Sequence, residues 1–124
     1  MIVGIIGSRR RNTEQDKTLI EKELLKLLDK NKDITICSGG CPTGGDLFAE
    51  QLASKYYLKK KIYIAEWHHY GQAAGFIRNT YIAEDSDILI ACVAEDRRGG
   101  TEDTIKKFKK FHPNWESEES LILV

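Results

Sequence analysis

Short runs of apolar, β-branched residues recur along the chain, each followed by a longer segment whose apolar positions return every three or four residues. The first run, IVGIIG at residues 2–7, ends at a Gly-Ser turn and reads as a strand covered on both faces. After the polar SRRRN, Thr13 is placed to cap a helix in which Ile20, Leu24, Leu27 and Leu28 share one face. DITIC at residues 33–37 repeats the strand pattern, SGGCPTGG the turn, and residues 46–57 the helix, with Phe48, Leu52 and Tyr56 on one side. KIYIAE at residues 61–66 predicts a third strand, and residues 72–84 a helix that carries Phe76, Ile77, Tyr81 and Ile82 despite Gly75. DILIACV at residues 87–93 is the most apolar strand, EDRRGG turns into a helix over residues 101–112 that Pro113 ends, and LILV supplies a fifth, edge strand. Residues 114–120, NWESEES, carry the least pattern and read as a surface loop or an arm to another subunit.

Strands alternating with helices imply right-handed parallel crossovers, hence a three-layer α/β sandwich with a parallel sheet of about five strands in the order 3-2-1-4-5. The 124 residues suffice for a single domain, residues 1–124. Glycines concentrate directly after the first, second and fourth strands, in GSRR, SGGCPTGGD and RRGGT, all at strand carboxyl ends. In an open α/β sheet ligands bind along that edge, at the crevice where the strand order reverses. Ser8 and Arg9 are therefore expected to face Gly99, Gly100 and Thr101 across it. Helices that start there aim free N–H groups and a positive dipole end at the site, and glycines let the backbone come close to a phosphate. Taken singly, each glycine pair reads as a tight turn and arginines 9–11 and 97–98 as solvated; three such turns on one edge favour a ligand site.

Nineteen basic and nineteen acidic residues leave no net charge, so no overall field draws the protein to nucleic acid or anionic lipid, and any anion must be held locally. The apolar start lacks the basic leader and long apolar core of a signal peptide, and no stretch reaches the roughly 20 apolar residues of a membrane span. A cytoplasmic protein without a membrane partner is expected. Three cysteines fit free thiols better than a disulfide framework, and Cys37 and Cys92 fall at buried strand positions.

Named motifs narrow the chemistry. GIIGSR replaces the dinucleotide fingerprint G-x-G-x-x-G, and Cys37-Ser38 stands where an acid would hold a ribose, which disfavours NAD in that mode. Gly39 and Gly44 have phosphate-loop spacing, but Gly45-Asp46 replaces the Lys and Ser/Thr of that motif, which disfavours ATP hydrolysis. Adjacent His68 and His69, a distant His112 and a Cys37–Cys41 pair form no ligand set, so neither a metal nor a cofactor is expected. Asp46 reads equally as a first-turn carboxylate in its helix dipole and as a ribose ligand or base. Trp67 has two readings, core or a face on which a base stacks. So does Arg78: a partner for Glu84 or Asp85, or a fork turned to the sheet edge to hold phosphate.

Through GSRR, SGGCPTGGDLFAEQLA, EWHHYGQAAGFIRN, DSDILIACV and GGT, in that order, the chain resembles the SLOG superfamily of Rossmann-like proteins, above all its YspA-like branch. The resemblance implies a nucleotide or nucleotide-derived ligand at the sheet's carboxyl edge. Relatives include the Lonely Guy phosphoribohydrolases and the DNA-loading DprA proteins. In the phosphoribohydrolases a helix arginine of an Arg-Lys pair, and a glutamate three places after the Gly-Thr of P-G-G-x-G-T, assist glycosidic cleavage. Arg78-Asn79 resembles the first element and Gly99-Gly100-Thr101 a shortened second, but Thr104 stands where the glutamate is expected, with Glu102 and Asp103 nearer. A hydroxyl does not replace a carboxylate that stabilises a cationic sugar.

Three functions follow. The first is binding of a nucleotide-derived ligand, its phosphate on the N–H groups at Ser8, Gly40 and Gly100 with Arg9 and Arg78, its base near Trp67, and Gly7, Gly39, Gly44, Gly45, Asp46, Asn79, Gly99 and Thr101 around it. The second is hydrolysis of N-glycosidic bonds by Asp46, Glu102 or Asp103 with Arg78. The third, single-stranded nucleic acid binding through arginines 9–11 and lysines 106, 107, 109 and 110, is opposed by the balanced charge. Phe108, Phe111, Trp115 and LILV offer apolar surface for a homodimer.

Overall fold

A computed structural model describes residues 1–124. The sheet is parallel throughout, and five strands stand in the order β3-β2-β1-β4-β5. They are β1 (Ile2–Gly7), β2 (Thr35–Ser38), β3 (Lys59–Ile62), β4 (Ile88–Cys92) and β5 (Leu121–Leu123). The helices are α1 (Glu14–Lys30), α2 (Gly45–Lys55), α3 (Trp67–Tyr70), α4 (Ala74–Asp85) and α5 (Gly100–Phe111), with a 3-10 turn at Gly71–Ala73 before α4. The strand order and the alternation expected from the sequence hold.

Strand alternation divides the core in two, as a sheet covered on both faces requires. On one face Val3, Ile5, Ile36, Ile90 and Cys92 meet Ile20 and Leu24 of α1 and Phe48 and Leu52 of α2. On the other, Ile6, Cys37, Leu89 and Ala91 meet Ile82 of α4 and Ile105 and Phe108 of α5. Burial and the nearby Asp85 charge push the Cys37 thiol up to about 11, so it behaves as a small apolar side chain. The chain holds three free cysteines, and no helix is long and apolar enough to cross a membrane.

Local chemistry fixes the element ends. Thr13 caps α1 as expected: its hydroxyl accepts the Asp16 N–H while the Asp16 carboxylate accepts the Thr13 N–H, a reciprocal capping box. Arg11 donates to Asp16 at 2.7 Å and to the carbonyls of Val93 and Val124, pinning the start of α1 to the ends of β4 and β5.

Three segments differ from expectation. β3 lies at Lys59–Ile62 rather than residues 61–66, because its register is set by its one neighbour and β2 ends at Ser38, opposite Ile62. As an edge strand it tolerates three exposed lysines where a central strand would not. Trp67 therefore does not end a strand; it opens the short helix α3, and the next long helix begins at Ala74. In that helix Phe76 and Tyr81 face solvent while Asn79, Ile82 and Ala83 are buried. Of the C-terminal apolar set, Phe108 is fully buried, Trp115, Leu121, Ile122 and Val124 pack on the two cores, and Phe111 and Leu123 stay exposed.

Candidate functional site

β1 and β4 are adjacent, yet their following helices leave on opposite faces, so a crevice opens between their carboxyl ends. A cavity of about 290 Å³ occupies it. Gly7, Ser8 and Arg9 after β1 line one side and Gly99, Gly100 and Thr101 at the start of α5 the other, as the strand order predicts. Asp46, Arg78 and Asn79 also line it, so residues from four distant parts of the chain meet there.

Arg78 turns to the sheet edge and takes neither acid considered for it. Its Nη1 donates to the Gly39 carbonyl at 2.9 Å and its Nε to the Asn79 side chain at 3.0 Å. Asp85 instead accepts from Lys61 and from the Tyr63 hydroxyl. Asn79 donates to the Gly100 carbonyl and to Asp103, so α4 holds the start of α5 in place. Gly39 explains how Arg78 comes so close: a Cβ there would lie 2.8 Å from both the Arg78 Nη1 and the Asp46 carboxylate.

Asp46 is buried. One carboxylate oxygen accepts from the Ser38 hydroxyl at 3.0 Å, the other from the Cys41 N–H at 3.1 Å. Burial raises its pKa above the ordinary carboxylate range, against the opposing pull of those two donors and of the Arg78 charge.

Several expected residues stand elsewhere. The Ser8 N–H is not free for a ligand, because it donates to the Cys92 carbonyl at 2.9 Å and continues the β1–β4 pairing. Gly40 turns its Cα side toward Ile62 and Ile64, and Gly44 and Gly45 pack on Ser8, Ile6 and Gly7, so none of the three lines the cavity. Glu102 forms a two-point ion pair with Arg97 and lies outside it; Asp103 is held by Asn79 and Lys107. Trp67 is 56% exposed rather than core, with its indole beside Gly75, the glycine that the Arg78 Nη2 also approaches.

The cavity also takes residues outside the expected ligand set: Arg10, Cys41, Arg98 and Thr104, with the apolar Ile6 and Ile82. Arg10 spans the crevice, donating through both Nη atoms to Asp96 at 2.9 and 2.7 Å and to the Arg98 carbonyl. The signal for the two arginines was their place beside the glycine turns GSRR and RRGGT; taken singly, such arginines read as solvated. No family model, curated protein or solved structure matches this chain.

The lining carries four arginines, Arg9, Arg10, Arg78 and Arg98, against one carboxylate, Asp46, in a chain of zero net charge. Arg9 and Arg98 stand outside the arginine ion pairs, which engage Arg10, Arg11 and Arg97. Helix α5 opens into the same space with no side-chain cap on its first N–H groups. Guanidinium forks and free amides together suit a multiply charged oxyanion such as phosphate.

Proposed function

We propose that the chain binds a nucleotide or nucleotide-derived ligand at the carboxyl edge of its sheet, with the phosphate between Arg9, Arg78, Arg98 and the start of α5. The observation that carries this reading is the concentration of four arginines around one cavity at the strand-order reversal, in a chain whose charges balance overall. At about 290 Å³ the cavity is near the lower bound, about 300 Å³, of small-molecule sites, which fits a phosphate with its sugar. SLOG membership in the YspA-like branch is part of the same proposal, supported by the meeting of Arg78-Asn79 with Gly99-Gly100-Thr101. A cytoplasmic setting, where three free thiols stay reduced, fits it, and of the C-terminal apolar set Phe111 and Leu123 are left exposed for a homodimer contact.

Calorimetry with ribose 5-phosphate, AMP and ADP-ribose tests the reading. Binding tighter than millimolar for at least one, weakened in Arg78→Ala, is the expected result; no binding to any of them contradicts it.

Turnover is a second reading, hydrolysis of the N-glycosidic bond, and it rests on Asp46 alone. A buried carboxyl held toward its protonated form is suited to donate a proton to a leaving base. Free base released by wild type and not by Asp46→Asn would establish it. The nucleic-acid reading loses support, because Arg10, Arg11 and Lys107 are engaged by Asp96, Asp16 and Asp103, and Lys109 lies over the Trp115 ring.

A further inference from the structure

Arg10 lines the arginine cavity, yet its guanidinium is engaged by Asp96, which lies outside the lining. Both Nη atoms donate to the Asp96 carboxylate, at 2.9 and 2.7 Å, and Nη2 also to the Arg98 carbonyl at 3.1 Å. Asp96 in turn accepts from the Arg98 N–H at 3.1 Å. The pair therefore joins the turn after β1 to the turn after β4 and grips Arg98 on both sides, directly before Gly99 and α5.

Two features make this bridge exchangeable. Its side chains are 58% and 47% exposed, and water screens such a pair, so it holds weakly. The turn that carries Asp96 does not depend on it either. Arg97, in the left-handed region at φ +54, is held by its N–H on the Ala94 carbonyl and by its own two-point pair with Glu102. The next arginine in the chain shows the contrast: Arg11 is largely covered and fixed by Asp16 and two carbonyls at once.

We infer that Arg10 is a further phosphate-binding arm held in reserve, and that Asp96 is the internal competitor a bound phosphate displaces from it. This rests on the phosphate reading and adds the residue that sets its strength. A carboxylate fills the guanidinium fork with one charge, whereas a terminal phosphate offers the fork more oxygens and up to two charges. A phosphate already held by Arg9, Arg78 and Arg98 meets Arg10 in the same cavity at high effective concentration, which a phosphate free in solution does not. The freed Asp96 keeps the Arg98 N–H, so the start of α5 stays in place.

Calorimetry with ribose 5-phosphate on wild type, Asp96→Asn, Arg10→Ala and the double variant tests this. Asparagine keeps an acceptor for the Arg98 N–H while removing the ion pair, and Asp96→Ser repeats the test with a second side chain that keeps one; unchanged urea midpoints check that these exposed replacements fold. Asp96→Asn should tighten binding about three- to fivefold, the gain from opening an exposed pair that is closed most of the time. In the Arg10→Ala background the same replacement should change affinity by less than about 1.5-fold at physiological salt, where a remote exposed charge is screened. If wild type binds and neither Asp96 variant binds more tightly, the competitor role is overturned and the phosphate reading stands. An equal gain with and without Arg10 makes Asp96 a nearby charge only and overturns it as well. No binding of ribose 5-phosphate by any of these proteins overturns the phosphate reading and this inference with it.

Discussion

Helices α2 and α5 start at the same edge of the sheet behind paired glycines, Gly44-Gly45 and Gly99-Gly100, and neither carries a side-chain cap. At α2 the pair is buried. A Cβ on Gly45 would lie 2.3 Å from the Gly7 nitrogen and 2.4 Å from the Ile6 carbonyl carbon, and Gly44 presses on the Ser8 carbonyl. The Gly44 N–H, just ahead of the helix, donates to the Asn12 side chain at 2.7 Å. At α5 the pair is exposed: a Cβ on Gly99 would meet nothing within 4 Å, and one on Gly100 only the Asn79 amide at 4.0 Å. The same two letters thus seat one helix on β1 and leave the other helix's amides open to a cavity. A glycine pair at a strand-to-helix turn marks a close approach, and the neighbour, chain or ligand, decides its use.

The largest effect should follow from filling the packed turn. Gly45→Ala pushes α2 off β1 and is expected to cost about 3 kcal/mol or more in urea unfolding; a loss below about 1 kcal/mol would remove the packing account. Arg11→Ala and Arg78→Ala sharpen the contrast between a structural and a ligand-facing arginine. Arg11 neutralises Asp16 and ties two strand ends, so its loss should cost about 2 kcal/mol of stability and leave AMP affinity unchanged. Arg78→Ala should weaken AMP by about 10- to 100-fold, the scale of one charge-assisted hydrogen bond; equal effects of the two on affinity would argue against the distinction.

A smaller effect is expected at Asp46, the first-turn carboxyl of α2. Because its folded pKa lies above the ordinary 3.8, the folded state holds this proton more tightly than the unfolded state. Its contribution to stability therefore falls as pH rises from 3.8 through the folded value. Asp46→Asn lacks this slope and should gain stability relative to wild type between pH 4 and pH 7, measured by urea midpoints; a relative loss over that range would reverse the sign. The smallest change belongs to the open turn. Gly100→Ala adds a methyl with no close neighbour inside the first helical turn, and should leave stability the same or raise it by about 0.5 kcal/mol.

What could be read from the sequence follows the same division. Strand order and the two-sided core were legible because IVGIIG and ILIACV carry no charged or polar side chain, which only central strands need. The end of β3 was not, since an edge strand takes its limits from the neighbour's length, and the apolar IYIA lies partly beyond Ser38. Ser8, Arg9 and Gly99 to Thr101 were placed correctly, because the strand order alone brings their turns together. The α2 glycines were read as ligand-facing since composition does not distinguish close packing from open access. Arg78 was undecided for a related reason: its direction depends on the absence of a side chain at Gly39, far away in sequence.

The central claim is that the start of α5, and not that of α2, is the anion-binding end of this edge. Inorganic phosphate added to ¹⁵N-labelled protein and followed by amide NMR tests it most directly. The account predicts saturable shifts at Gly99, Gly100 and Thr101, with Gly45 and the strand-bonded Ser8 amide moving little. Shifts centred on Gly45, or none at the α5 start with millimolar phosphate, would contradict it.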